Sequence, residues 1–510
     1  MAQAMQDIAL VSIGHMGINT EEAPLTQSTS FSSRCENAVI DSSGRIASRK
    51  GYEMVSTNGS TVLGTSPGIE SISEFEPQTG SPVLFSCGNN KIFSGTTTLT
   101  DITPGGYTIT DNNWAFATLS NEHYFFQRDH NPLIYDPSSG NLTTIAAHPN
   151  VQGVAPDAHC VLAAFGRLWA GDLTGQPSKI HWTDSLDGKN WSGGSSGNID
   201  ISQVWPDGSD TITALAAYQN FLIIFGKRSI VIYTGASDPA TMSLADTIAN
   251  IGAVGRDVVQ STGRDLLFVD YSGVRSFQRT IRTNTLPVGD ISRNVSSDFK
   301  GFVNAADASR IRTTFHPFES FYLVTFPSLG MVYCFDTRLP LQDGSLRTTT
   351  WSAMSPLCFT RTSTDKLYIG VADGFGEYKG HKDNNTSYEL MYFSHPLAFG
   401  DTSRLKFLKS VAVTTFNGAG ANVTLQWAYD YRQDYTKQVY TLSEDNSGQY
   451  NNSQYNTTSQ YSASSVLINK EKVATNGHGT VVQIGLSTTV DGREIAIQQM
   501  NVHSLIGRMV

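Results

Sequence analysis

Short apolar runs recur along the first three quarters of this chain in one repeated order: strand, tight turn, strand, second turn, strand. Val83–Cys87 is followed by Gly88-Asn89-Asn90 and then Lys91–Phe93. Ile212–Tyr218 turns at Gln219-Asn220 into Phe221–Phe225, and Gly226–Ser229 leads into Ile230–Tyr233. The recurrent second strand is expected to begin near Lys91, Tyr124, Leu168, Phe221, Leu266, Phe321 and Lys366. That spacing matches the roughly 40–50 residue period of β-propeller blades. A blade is a small antiparallel sheet that cannot bury its own faces, and radial stacking buries both. The spacing therefore predicts an all-β chain with a propeller of about five to seven blades. A pair of β-sandwiches with coincidental spacing is the competing arrangement.

The repeat is expected to stop near Tyr378. Residues 381–387, HKDNNTS, read as a linker. Beyond it, Leu405–Phe416 with Val423–Tyr431, and Val481–Leu486 with Ile495–Val502, alternate apolar and polar residues. Such strands bury one face each, as in a β-sandwich. The expected organisation is an N-terminal segment, 1–52, packing on the propeller; a propeller, 53–380; and a C-terminal β-sandwich domain, 381–510. Within the last lies a Tyr/Gln/Asn-rich stretch, 429–465, almost devoid of aliphatic residues and unable to fold on a core of its own. Tyrosine offers a large contact area at low entropic cost. Tyr435, Tyr440, Tyr450, Tyr455 and Tyr461 are the expected partner contacts of this loop.

Composition narrows the function classes. Only 16% of the 510 residues are charged, and the net charge is −10. Phosphate binding is driven by Lys and Arg, so the chain as a whole is not a nucleic-acid coat. Cys35, Cys87, Cys160, Cys334 and Cys358 are isolated and odd in number, which argues against structural zinc and against a disulfide framework. Buried free thiols in a reducing compartment are expected. The first residues, MAQAMQDIALVSIGHMG, show no basic start followed by an apolar run, as a secretory signal needs. The most apolar run, Phe221–Phe225, is far too short to span a bilayer.

Motifs for chemistry are weak. Gly193-Gly-Ser-Ser-Gly197 matches G-x-S-x-G, but its flanks read as loop and short strand, without the strand-to-helix turn of a nucleophile elbow. Ser185-Leu-Asp-Gly-Lys-Asn-Trp191 is one residue short of the sialidase Asp-box, a turn motif between blade strands. Arg338-Leu-Pro340 sits mid-chain in a turn. Glycoside hydrolysis needs converging carboxylates or an activated tyrosine, and no compact acidic cluster appears. His123 and His130 lie among aromatic residues and read as packed side chains. Gly252-Ala-Val-Gly-Arg256 lacks the spacing of a phosphate-cradling loop. No catalytic, cofactor-binding or metal-binding residue is assigned, and no cofactor is expected.

Several segments, taken in order, resemble the tail nozzle proteins (tail hub, or packaged-DNA stabilisation, proteins) of short-tailed bacteriophages, including the tail tubular protein B group. Cys35–Tyr52, CENAVIDSSGRIASRKGY, resembles the family's opening pattern N-x-x-x-…-G-x-L-x-x-R-x-G. Ile180–Trp191, Ile212–Tyr233 and Gly252–Arg275 resemble later strand-and-turn segments. The resemblance covers roughly residues 25–430 in pattern. It implies a structural virion protein, made in the host bacterial cytoplasm and placed in the tail. It implies a ring, commonly of six copies, that continues the DNA channel below portal and adaptor and retains the packaged genome. The implied partners are copies of itself, the head-to-tail adaptor, a tail fibre or tailspike, and a needle or tip protein. Viral double-stranded DNA would pass without sequence-specific contact, which the acidic balance favours. The alternative is a propeller glycosidase or carbohydrate-binding module of sialidase type, since fold does not imply function.

Overall fold

The computed structural model describes residues 5–11, 13–64, 68–278, 291–442 and 468–509. Blade 1 is built from Ser71–Phe75, Val83–Gly88, Lys91–Ser94 and Thr100–Asp101, paired in that order. Blade 2 uses Ala115–Leu119 through Asn141–Thr144, blade 3 Ala158–Ala164 through Gly197–Asp200, and blade 4 Ile212–Tyr218 through Ser243–Ala249. Blade 5 has three strands among the described residues, Val259–Ser261, Leu266–Asp270 and Gly273–Ser276. Blade 6 runs from Arg312–His316 to Arg347–Trp351. Blade 7 comprises Cys358–Arg361, Leu367–Val371 and Gly374–Tyr378, with Tyr52–Met54 as its outermost strand.

Neighbouring blades meet through their first strands, except that Ile212–Tyr218 of blade 4 meets the turn Arg256–Val258 leading into blade 5, and Cys358–Arg361 of blade 7 meets Ser71–Phe75 of blade 1. The seven sheets therefore close a ring, a seven-bladed β-propeller. The closing strand Tyr52–Met54 comes from before blade 1, so the two ends of the propeller are joined by backbone hydrogen bonds.

Turn chemistry explains the hairpins. Asn89-Asn90, Ser120-Asn121 and Phe165-Gly166 all have positive φ at both positions and link strands by two residues. These are the turns whose twist matches that of paired strands. The expected phase of blade 1 was wrong by one strand: its second strand is Val83–Gly88, preceded by Ser71–Phe75. Ser71-Ile-Ser-Glu-Phe75 hides a blade strand because three of its five residues are polar, although Ser71 is buried and bonds the Asn112 carbonyl.

The C-terminal region forms two packed sheets. In one, Ser32–Glu36, Tyr388–Ser394, Val482–Val490, Asn422–Tyr429 and Thr436–Thr441 pair in that order. In the other, Ala38–Ile40, Ile46–Ser48, Ile495–Met509, Arg404–Asn417 and Ile468–Ala474 pair, with Met5–Val11 also on Ile495–Met509. The N-terminal segment packs on blade 6, as Ala38–Ile40 does against Arg347–Trp351, but it is also woven into the sandwich. Its strands belong to both sandwich sheets, and its end closes blade 7. Glu36 also bridges Thr350 of blade 6, which makes one nine-stranded sheet shared by propeller and sandwich. A single apolar cluster accordingly runs from Phe225, Phe268 and Phe335 to Tyr392, Leu425 and Ile484.

Residues 381–387 are tied down rather than free. Asp383 takes a two-pronged bond from Arg49, Nη1 at 2.8 Å and Nη2 at 2.6 Å. The Arg49 side chain has no exposure, and its guanidinium lies 4.0 Å from the Tyr388 ring centroid. Arg49 also donates Nε to Asn37 Oδ1 at 3.2 Å and Nη1 to the Lys50 carbonyl at 2.9 Å. Asn37, in the left-handed region at φ 54°, donates to the Glu389 carbonyl at 2.9 Å. A Cβ on Gly51 would lie 1.9 Å from the Lys382 carbonyl oxygen, so only glycine permits this crossing. The run 35–52 is therefore a lock joining blade 6, blade 7, the 381–387 segment and the sandwich.

Candidate functional site

The entries to the blades' first strands and the turns between second and third strands share one face of the propeller. Near the axis on this face, Arg256 joins three blades. Its Nη1 donates to the carbonyls of Asn113 and His159, each at 3.1 Å, and its Nη2 to the Trp114 carbonyl at 3.2 Å. Nε and Nη2 also grip the Asp257 carboxylate at 2.9 and 2.8 Å. Arg312 of blade 6 reaches the same carboxylate at 3.4 Å. Burial opposes ionisation of Asp257, but Arg256 and Arg312 outweigh it and hold its pKa at about 2. Burial, helped by Arg256, drives His159 down to about 3, so its ring is neutral. Arg310 pairs with Glu70 of blade 1 and, at 3.6 Å, with Asp111. The axis is stapled by arginines that pair with carboxylates and carbonyls of neighbouring blades.

Outside this staple lies a cavity of about 280 Å³ at the junction of propeller and sandwich, and two more open on the axial face. One, about 240 Å³, is lined by Arg128, His159, Asp172, Lys227 and Arg256. Asp172 is bonded by Arg128, and burial raises its pKa. The other, about 610 Å³, lies between the turns of blades 4 and 5 and shares Lys227. Its wall carries Arg228, Asp270, Tyr271, Arg275 and Lys300, the last on the helix Ser296–Ala305. On an acidic chain this is a local concentration of positive charge.

The sequence motifs sit elsewhere. Ser195 Oγ donates to Asp184 Oδ1 at 2.7 Å within the loop joining the last two strands of blade 3, which is turn chemistry and not a nucleophile elbow. In the Asp-box-like run, Asp187 accepts from the Lys189 backbone N–H at 3.0 Å, and Trp191 packs against Phe126 of blade 2. Gly188 is required there, because a Cβ would come within 2.4 Å of the Tyr124 ring. Arg338 donates to the carbonyls of Ile40 and Glu319, at the edge of the sandwich junction. His123 is stacked between Phe85 and Phe116, with burial lowering its pKa to about 3. His130 bonds the Arg128 carbonyl and the Thr110 N–H. All five cysteines are buried free thiols. No group of three or more His, Cys, Asp or Glu suited to a metal occurs among the described residues.

Of the expected contact tyrosines, Tyr450, Tyr455 and Tyr461 lie outside the described residues. Tyr435 donates to Gln483 Oε1 at 2.7 Å and packs edge-on to Phe393. Tyr440 is half-buried in the strand Thr436–Thr441 and packs on the main apolar cluster. The beginning of the Tyr-rich stretch is therefore a strand and not a free loop. It needs no core of its own because it hydrogen-bonds along Asn422–Tyr429. In that strand the exposed side chains include Val439, 60% accessible. Sequence reading missed the axial arginines and Arg275, since nothing local distinguishes Gly255-Arg256-Asp257 or Val274-Arg275-Ser276 from other turns and strands.

No protein-family model matches the chain, and no curated protein matches it. Solved structures similar to it include two WD40 domains and a designed protein. The WD40 domain of Neurospora crassa Pan2 is 13% identical over 65% of this chain and 94% of that one, with a TM-score of 0.38. The WD40 β-propeller domain of Doa1 is 11% identical over 64% and 96%, with a TM-score of 0.38. The computationally designed protein Ika8 is 12% identical over 61% and 83%, with a TM-score of 0.37. The propeller assignment rests on the strand pairing and ring closure described above.

Proposed function

We propose that this chain is a structural subunit of a phage tail nozzle, forming a ring, commonly of six copies, that continues the DNA channel. The observation that carries the reading is the run 35–52. It resembles the nozzle family's opening pattern, and its Asn37, Arg49 and Gly51 form the lock fusing propeller to sandwich. A channel wall under genome pressure calls for one stiff body, and a sheet shared between the two parts serves that need. The axial arginines act as staples of the same body. In this reading the acidic balance of the chain is turned to the lumen, and the basic face of blades 4 and 5 is turned away from it, toward a neighbouring subunit or tail partner. The exposed strand Thr436–Thr441 and the tyrosines after it are offered to fibre, spike or tip proteins.

Electron microscopy of the purified chain, alone and with a head-to-tail adaptor, tests this. Closed rings with an acidic lumen are expected. A stable monomer in both conditions, or a lumen lined by Lys227, Arg228 and Lys300, overturns it. The basic cavity on the propeller face favours a second reading, an acidic-glycan binder of sialidase type. Release of sialic acid or binding to acidic glycans would select that reading.

A further inference from the structure

We propose that the cavity between blades 4 and 5 is a binding site for the phosphate group of a small phosphorylated molecule, anchored by Arg275. Arg275 lies on the third strand of blade 5, is only 7% accessible and lines the cavity. Two of its nitrogens are spent locally: Nε donates to Ser272 Oγ at 3.1 Å, and Nη2 bonds the same oxygen. Nε also faces Asp270 Oδ2 at 3.5 Å. Its Nη1 is buried and has no partner among the described residues. A buried charged donor left unsatisfied costs more than a neutral one, so such groups mark sites where an acceptor belongs.

The charge around that nitrogen selects the acceptor. Asp270 offsets Arg275, but its carboxylate is held by the N–H groups of Gly252, at 3.3 Å, and Ser272, at 3.0 Å. That leaves Lys227, Arg228 and Lys300 on the cavity wall, all exposed and none in an ion pair among the described residues. Three cations outside any ion pair exceed what one carboxylate needs and match a phosphate dianion, while the one unspent nitrogen of Arg275, Nη1, is the donor that fixes its orientation. Tyr271, 40% accessible, stands at the same wall and supplies an aromatic face for the organic part of the ligand. The volume, about 610 Å³, is that of a small-molecule site. The cavity is formed within a single chain, so the inference does not rest on the proposed ring, in which this face would meet a neighbouring subunit or tail partner.

Isothermal titration calorimetry of the full chain with inorganic phosphate, acetate and a short DNA duplex tests it. Phosphate is expected to bind, with acetate weaker by about tenfold or more. Arg275→Gln is expected to weaken phosphate by about ten- to a hundredfold, the loss of one charge-assisted hydrogen-bonding group. Because Arg275 is buried, the exposed pair Lys227→Ala/Lys300→Ala serves as the control that cannot disturb the core, and it too should weaken binding about tenfold or more. No heat with phosphate, equal binding of acetate, or unchanged binding in both variants overturns the proposal. Binding of the duplex without binding of inorganic phosphate also overturns it, assigning the face to a phosphodiester backbone instead.

Discussion

Arg49→Met tests the lock between propeller and sandwich directly. Methionine keeps an apolar stem of similar reach against Tyr388 and Trp351 and removes the guanidinium. Asp383, whose side chain is 10% accessible, then loses both short bonds, and Asn37 Oδ1 and the Lys50 carbonyl each lose a donor. Removing one member of a buried pair costs about 3–5 kcal/mol, because the other charge stays behind uncompensated. Two assays read this out. Urea unfolding, followed by tryptophan fluorescence, should show the loss as a lower midpoint at unchanged slope. Tryptic cleavage after Lys382, inside the segment that Asp383 anchors, should accelerate by about two to four orders of magnitude where cleavage follows the open population. The double variant Arg49→Met/Asp383→Leu removes the stranded charge and should recover most of the stability, since apolar replacements of buried pairs are often neutral. A single variant within about 1 kcal/mol of the parent, or a double variant no better than the single, refutes the reasoning.

The remaining predictions concern titratable groups. Burial pushes the thiols of Cys35 and Cys87 up to about 12, and those of Cys160, Cys334 and Cys358 are raised as well. The thiolate is the reactive form, so a disulfide reagent such as Ellman's should label no cysteine in the native chain and all five in denaturant; rapid native labelling would contradict the burial. His123 and His159 are held neutral to about pH 3 when folded but accept a proton near pH 6.5 when unfolded. The unfolded state therefore binds more protons between those values, and stability falls as pH drops through that window. From pH 6.5 to 5 each histidine contributes about 2 kcal/mol to that fall. His123→Phe should flatten the urea midpoint's dependence on pH between 7 and 5, and an unchanged dependence would refute the assignment. Asp257 does not interfere, because its stabilisation is lost only as pH falls from about 3.8 toward 2.

The hairpins of the blades were legible because their signals are local. Runs such as Phe221–Gly226 and Phe321–Phe326 sit between short connections of two to four residues, such as Gln219-Asn220 and Pro327–Gly330, and both the periodicity and the turn chemistry are written within a dozen residues. Blade 1 was read one strand out of phase, since Ser71–Phe75 is as polar as a surface segment and becomes a blade strand only against Ala115–Leu119. Burial of the cysteines and of His123 also followed from their apolar surroundings. The Tyr-rich stretch misled because a segment poor in aliphatic residues can still form a strand when an existing sheet lends it backbone partners.

Periodicity and turn residues thus dictated that the chain would be a succession of small antiparallel sheets followed by longer alternating strands, because each such element is decided by neighbours a few positions away. The number of blades, the closure by Tyr52–Met54, the weaving of residues 32–48 into the sandwich, the Arg49–Asp383 lock and the Arg275 cavity were decided only in three dimensions. Their partners lie up to hundreds of positions apart, as Arg49 and Asp383 do, or on separate blades. What an arginine does depends on which distant carbonyl or carboxylate the packing of whole sheets brings to it.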